Sequence, residues 1–347
     1  MKSSLGILSL LCVSMVLIGM NDFTVQERLH LVKWPKPTYN FKQYPVTEDG
    51  FQLGRVLFYD PILSRDSSIS CADCHLQYTG FAHVDHQVSH GIDGRKGTRN
   101  APALVNLAWK TSFHWDGGVS QLHLQFINPI EHPSEMDNKL TVVLERLRNQ
   151  SFYRKRFKQV FGNESITTMQ FLSAMAQFVV SLESKNSTYD RVMRKEKGVS
   201  FTKQEKNGYL LFKQHCNACH TEPLFTQTFF ANNGLPVDPN YDDIGRFAIT
   251  NRSVDSFLFM IPTLRNIEYT FPYMHDGRFA KLKDVINHYV KGIDRSTKNL
   301  HQKLRKPIPL NEQMQKDLIA FLKTLTDKEF LYNKRFSFPK ELLSTRK

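Results

Sequence analysis

Cys71-Ala72-Asp73-Cys74-His75, answered further along by Cys216-Asn217-Ala218-Cys219-His220, decides how this chain of 347 residues is read. C-x-x-C-H is the attachment sequence of a c-type haem. Two cysteines three apart on one helical turn can each add to a vinyl group of the porphyrin. The adjacent histidine then points its imidazole at the iron as the proximal ligand. The competing reading is a four-cysteine zinc site. Zinc ribbons, however, separate their C-x-x-C pairs by roughly 15–20 residues, and the gap from Cys74 to Cys216 is far longer. Zinc would also not require a histidine directly after each pair. Two covalently attached haems are the expectation.

Four of the five cysteines are used in these motifs. The fifth, Cys12, lies in an apolar run from Leu5 to Met20 preceded by Lys2. That run reads as a signal-peptide core or a short membrane anchor, and no A-x-A cleavage site follows to choose between them. Leu11 before Cys12 lacks the small side chain of a lipoprotein cleavage site. Export agrees with the haem reading, because c-type haems are attached outside the cytoplasm, so a periplasmic location is expected. The net charge of +13 suggests nucleic acid, anionic lipid or an acidic partner protein. No nucleic-acid motif accompanies it and the Lys and Arg are spread along the chain. A solvated basic surface is the first reading and docking of an acidic electron donor the second.

Residues 24–45, with Pro35, Pro37, Pro45 and several aromatics, read as an extended arm. From Glu48 to Tyr59 the apolar positions Phe51, Leu53, Val56, Leu57 and Phe58 predict a short helix. Asn138 to Val160 and Ile166 to Met193 read as two longer helices. The stripe Phe171, Leu172, Met175, Phe178, Val179 and Leu182 on the second is taken as core. A break at Ser184–Ser187 marks the boundary between two domains. Thr202-Lys203-Gln204-Glu205 is a capping-box pattern opening the helix that carries the second haem motif.

The two halves repeat each other. Gly54-Arg55-Val56-Leu57-Phe58 precedes the first motif and Gly208-Tyr209-Leu210-Leu211-Phe212 the second. Downstream, Pro102-Ala103-Leu104-Val105-Asn106 is followed after ten residues by Asp116-Gly117, and Pro262-Thr263-Leu264-Arg265-Asn266 after ten by Asp276-Gly277. Turn chemistry of Pro, Asn and Gly explains each piece, but the matched interval argues for two copies of one haem-binding unit. The fold expected is mostly α, two cytochrome-c-like haem domains packed around a di-haem centre. The divisions are 1–23 for the leader or anchor, 24–185 and 186–335 for the haem domains, and 336–347 for a tail.

With these residues in view, the chain resembles the bacterial di-haem cytochrome c peroxidase family, which includes the MauG-type enzymes. The marks are both C-x-x-C-H motifs, Gly97-Thr98-Arg99-Asn100-Ala101-Pro102, Trp115-Asp116-Gly117, Glu135-Met136 and Pro272-Tyr273-Met274-His275-Asp276-Gly277. The similarity runs from about Phe51 to Leu325. It implies that His75 and His220 are proximal ligands, that the N-terminal haem is peroxidatic, and that Trp115 lies between the haems. Gln125 and Glu135, ten and twenty residues after Trp115, match the polar pair over the peroxide site. Heterolytic cleavage needs such a pair: a carboxylate can accept and return the proton, while an amide orients the peroxide.

The resemblance further matches His90 to the histidine that caps the peroxidatic iron in resting peroxidases and leaves on activation; His83 and His86 are its neighbours in sequence. MauG-type members lack that ligand. At the far side of the second haem, peroxidases carry a Met fourteen residues beyond the His of P-Y-x-H-D-G, where this chain has Tyr289, as MauG-type enzymes do. Met274 and Met260 are the alternatives if that iron is His/Met, and His288 sits beside Tyr289. Asn100, Thr270 and Pro272 match positions whose oxygens bind calcium. The activity implied is reduction of hydrogen peroxide to water with electrons from a small redox protein, a cytochrome c or cupredoxin. Oxidation of residues in a partner protein is the second enzymatic reading, and a non-catalytic di-haem electron carrier the third. Family members commonly form homodimers.

Overall fold

The computed structural model describes residues 34–346. The Leu5–Met20 run, Cys12 and the start of the 24–45 arm lie outside them. Among the described residues the chain is mostly helical, with one two-residue strand pair joining Phe230–Ala231 to Phe259–Met260. Among the described residues no helix is long and apolar enough to cross a membrane.

Each half is organised by one pair of crossed helices. In the first, Glu48–Tyr59 lies against Thr168–Val180, burying Phe51, Leu57, Phe58, Phe171, Met175 and Phe178. In the second, Lys203–His215 lies against Glu312–Lys323 around Phe212, Leu318 and Phe321. The paired glycines of the sequence repeat sit at these crossings. A Cβ on Gly54 would stand 2.1 Å from the Ala174 carbonyl oxygen, and one on Gly208 1.9 Å from that of Asp317. Only a residue without a side chain lets the two backbones approach so closely. The Phe four residues on, Phe58 or Phe212, then fills the core beside each crossing.

The remaining repeats fall at equivalent places. Asn106 and Asn266 both adopt left-handed backbone, with φ of 55° and 60°, a conformation Asn tolerates. Asn106 N–H donates to Leu182 O and Asn266 N–H to Leu325 O, at 2.9 and 3.0 Å, so each ties down the segment that follows its unit's long helix. The D-G pairs close two matching tight loops, Phe113–Val119 and Tyr273–Phe279, each with a glycine at positive φ.

Between the units, Ser184 is fully buried. Its carbonyl accepts from the Asn106 amide and its hydroxyl from the Asn266 amide, both at 3.0 Å. Asp327 receives the Ser184 hydroxyl and the Lys185 and Asn186 N–H groups. From there the chain returns to the first core, which takes in Phe330, Leu331 and Phe336. Buried Arg55 donates to Ser337 O at 2.7 Å, and Tyr59 to Phe336 O at 2.7 Å. Residues 327–336 thus pack with the first unit although they follow the second.

Two expected helices are interrupted. The 138–160 stretch forms Leu140–Arg148 and Ser151–Phe161, separated at Asn149–Gln150. The 166–193 stretch forms Thr168–Val180 and Thr188–Met193, because Ser187 and Asp190 make a new capping box. The capping box at Thr202 and Glu205 is present, with bonds of 2.7 and 3.2 Å.

Candidate functional site

Cys71–Cys74 is a single helical turn. Ser70 N–H and Oγ donate to the Asp73 carboxylate at 2.6 and 2.7 Å, fixing the start of that turn. The turn ends at His75, whose Nδ1 meets Phe81 O at 2.7 Å. The second motif follows directly on the Lys203–His215 helix, and its histidine is clamped in the same way: His220 Nδ1 lies 3.2 Å from Phe225 O and 3.1 Å from Pro262 O. Phe81 and Phe225 both have positive φ, at 58° and 54°, which aims their carbonyls at the imidazoles. A carbonyl on Nδ1 fixes the tautomer and leaves the Nε2 lone pair as a metal ligand. Burial pushes both imidazoles down to about 4, so they are neutral at working pH.

Each motif opens onto its own cavity. The first is lined by Cys71, Cys74 and His75 together with Gln125, Glu135, Met136, His114 and apolar residues. Gln125 Oε1 is buried and has no partner among the described residues. Glu135 lies on the cavity wall with its side chain 43% exposed; the partial burial it has there raises its carboxyl above the ordinary range, and His132 at 4.0 Å opposes the shift. The second cavity is lined by Cys216, Cys219 and His220 with Trp115, Met274 and Tyr289. No Asp or Glu lines it. Both cavities share Pro102, Ala103, Lys110 and Met260 as a common wall.

Trp115 is buried in that region, donating from Nε1 to Asn100 O at 2.8 Å, while its own carbonyl accepts from Met260 N–H at 2.7 Å. Asn100, Thr270 and Pro272 all lie on the wall of the second cavity. Asn100 Nδ2 is already committed to Gln87 O at 3.0 Å, which leaves its Oδ1 as the free ligating atom.

Tyr289 belongs to a π-helical turn, His288–Gly292, that continues the Leu282–Asn287 helix. Such a turn inserts an extra residue and re-aims the side chains near it, a feature frequent at functional sites. It places Tyr289 on the cavity wall. Burial pushes the phenol up to about 12, with the Asn233 side chain opposing. His288 is turned away, its Nε2 3.1 Å from Asn233 O, and is not on the wall. Met274 is on the wall, in left-handed backbone at φ 76°, its sulfur accepting from Asn233 Nδ2 at 3.6 Å. Met260 lies between the cavities.

His90 lies outside the residues that line the first cavity. Its carbonyl accepts from Cys74 Sγ at 3.5 Å, and its Nε2 is buried without a partner. Its ring lies 4.1 Å from that of His86, and His83 completes the group at 6.5 Å from His90. Lys110, which drew no notice in the sequence, is the one Lys or Arg lining either cavity. Its Nζ has a thioether neighbour, Met260 Sδ at 3.9 Å, and burial pushes it down to about 8. Nothing in its neighbours' residue types marks it.

The donor set fits a c-type haem in each cavity: a cysteine pair, a neutral imidazole with one nitrogen tied back, apolar walls and, in the first, an unsatisfied amide oxygen. The sequence profile of the family described as di-haem cytochrome c peroxidase matches residues 48–198. The methylamine utilization protein MauG of Methylorubrum extorquens is 35% identical over 298 residues, covering 84% of this chain and 82% of its own. Cytochrome c551 peroxidase of Nitrosomonas europaea is 32% identical, covering 81% of each. Among solved structures, a MauG-like protein associated with microbial copper homeostasis superposes with a TM-score of 0.81 at 32% identity, covering 89% of this chain and 98% of that one. The chain is therefore a member of the di-haem cytochrome c peroxidase family, and its cofactors are two c-type haems.

Proposed function

We propose that this protein is an exported peroxidase that reduces hydrogen peroxide to water with electrons from a small redox protein. The observation that carries the reading is the asymmetry of the cavities. The first holds an acid, Glu135, and an amide, Gln125, whose buried oxygen has no partner in the protein. No Asp or Glu lines the second, and its amides are engaged differently: Asn100 Nδ2 donates to Gln87 O, and Asn233 donates to the Met274 sulfur while its Oδ1 accepts from Leu235 N–H. An electron carrier has no use for that difference.

The haems, when bound, supply the iron at which the O–O bond is cleaved and the electrons are stored. Gln125 Oε1 accepts a hydrogen bond from peroxide and orients it. The Glu135 carboxylate takes the proton from the inner peroxide oxygen and returns it to the outer one, so that water leaves. Desolvation suits Glu135 to this task, since a carboxyl raised toward working pH both accepts and releases a proton. Trp115 rigidifies the region between the cavities through its bonds to Asn100 and Met260. His90, whose Nε2 is buried without a partner as are both ring nitrogens of His83, would hold the metal of the first site at rest, and movement of its loop would open the cavity. Calcium at Asn100, Thr270 and Pro272 is part of the same proposal, supported by their shared wall.

Oxidation of residues in a partner protein is a second reading, favoured by Tyr289 on the second cavity wall. An anionic Tyr ligand stabilises ferric and higher states, whereas Met raises the potential. The test is peroxide-dependent oxidation of a reduced small cytochrome or cupredoxin. Multiple turnovers support the peroxidase, slow turnover the second reading, and none the carrier. Replacing Glu135 with Gln should abolish turnover while leaving both haem spectra intact.

A further inference from the structure

The basic residues are not evenly placed in space. Between positions 291 and 306 the chain carries Lys291, Arg295, Lys298, Lys303, Arg305 and Lys306 against one carboxylate, Asp294. All six cations are exposed, and none is ion-paired among the described residues. Asp294 is occupied by Ser296, accepting its N–H at 2.9 Å and its hydroxyl at 2.6 Å. Asp255, two residues beyond the Ser253 carbonyl to which Asn299 is bonded, faces Arg252 at 3.9 Å.

The segment is held in place from below. Asn232 Nδ2 donates to Lys298 O at 2.7 Å, His301 N–H to Asn232 O at 3.1 Å, and Asn299 Nδ2 to Ser253 O at 2.8 Å. Its inner side, through His301, Leu304 and Ile308, lines the cavity of Cys216, Cys219 and Tyr289. Two apolar side chains lie exposed beside it. Phe229, 38% exposed, stacks on His301 with ring centres 6.0 Å apart, and Val254 is 55% exposed next to the carbonyl that Asn299 caps. A fixed basic rim with an apolar contact therefore covers the wall of the second haem site.

We infer that this face docks an acidic redox protein that delivers electrons to the second haem, an inference that rests on the peroxidase reading for the donor's role. Complementary charge steers encounter and raises association rates by about 10–10³-fold, an effect that salt removes. An anionic lipid surface would feel the same charges. The position favours a redox protein, because the cations are concentrated over one haem cavity rather than along an amphipathic helix. One electron passes from the donor metal to ferric iron, with no bond made and no proton moved.

The test uses the haem-loaded protein without peroxide. Oxidised plastocyanin, an acidic cupredoxin, is mixed with the dithionite-reduced protein in a stopped-flow instrument, so that the electron runs downhill through the same contact, and a basic mitochondrial-type cytochrome c serves as the opposite charge. Binding of oxidised plastocyanin is measured in parallel by calorimetry. The wild-type rate with plastocyanin should fall at least about tenfold between low and high ionic strength. The triple variant K298E/K303E/R305E should lower the low-salt rate by about 10–100-fold and abolish binding, with its Soret band and thermal unfolding unchanged. The same charge change placed elsewhere, K139E/K155E/K197E, should leave the rate at about 0.1 M salt within about twofold, since charges beyond a Debye length of about 10 Å are screened there, and the two triple variants are compared at that ionic strength.

Equal effects of the two triple variants, a faster reaction with the basic cytochrome, or loss of binding to anionic phosphatidylserine vesicles with plastocyanin unaffected would each overturn the assignment. Peroxide consumption with an uncharged phenol donor separates the two readings. If it is absent while plastocyanin behaves as stated, the docking face stands and the peroxidase reading falls. If it is present while plastocyanin is indifferent to the loop, the reverse holds.

Discussion

Gly208→Ala is the sharpest test of how the haem units are assembled. The added methyl would stand 1.9 Å from Asp317 O, 2.6 Å from its carbonyl carbon and 2.8 Å from Phe321 Cβ. Reaching ordinary contact at 3.4 Å means parting the helices by about 1.5 Å. The obstacle is backbone, so no side chain can swing aside. Overpacking costs about 1–3 kcal/mol where the surroundings yield, and the rigid crossing of Phe212 with Phe321 places this case at the top, near 3 kcal/mol. Replacing a helical glycine returns about 1 kcal/mol of propensity. The net loss is about 2 kcal/mol, or a fall in Tm of roughly 4–8 °C for a unit of this size. Heating while following far-ultraviolet circular dichroism and Soret absorbance reads it. Because the Lys203–His215 helix runs directly into Cys216, the Soret signal should broaden too. Gly97→Ala, whose methyl meets nothing closer than 3.7 Å, is the control and should be near neutral. A Gly208→Ala protein as stable as the control would refute the close-crossing argument.

Four further outcomes follow from the geometry. Turnover should fall as pH drops through the Glu135 carboxyl, at a value above the ordinary 4.3 or so for Glu, because the proton-accepting form disappears. Glu135→Gln should remove that limb and cost about 10²–10⁴ in kcat, read by steady-state peroxide consumption. Tyr289→Phe should change the low-temperature electron paramagnetic resonance of the second haem and leave the first unaltered; identical spectra would exclude Tyr289 as its ligand. Asp190→Asn strands fully buried Arg265, which Asp190 holds through two bonds of 2.7 and 2.8 Å, and should destabilise by about 3–5 kcal/mol in urea unfolding. Burial opposes ionisation of Asp190, but Arg265 outweighs it and holds the carboxyl below its usual value. Its stabilisation is therefore present above the unfolded value near 4 and lost as pH falls through the lower folded one.

Much of this arrangement is legible in the residues because the same turn demands the same residue. Asn106 and Asn266 repeat because both sit in left-handed backbone, and Gly54 and Gly208 because both sit under a carbonyl. What stayed hidden uses groups that every residue carries or geometry that periodicity assumes away. The imidazole clamps are backbone carbonyls of Phe81 and Phe225, so no side chain advertises them. The 138–160 stretch keeps a helical pattern across Asn149–Gln150, where the chain nevertheless turns. The π turn at His288–Gly292 breaks the 3.6-residue spacing on which a helical wheel depends. Lys110 looks like any surface lysine until the fold brings Met260 beside it.

The Ser184–Asp327 junction bears on where motion can occur. Both Asn106 and Asn266 reach the same buried serine, and the last stretch of chain is stitched back across the first unit. A hinge placed there would have to break five internal bonds at once. Clamshell opening of the halves is therefore opposed at this junction, by about 0.5–1.5 kcal/mol for each bond broken. Movement of the proposed His90 loop would leave this junction untouched, and with it the placing of one cavity beside the other.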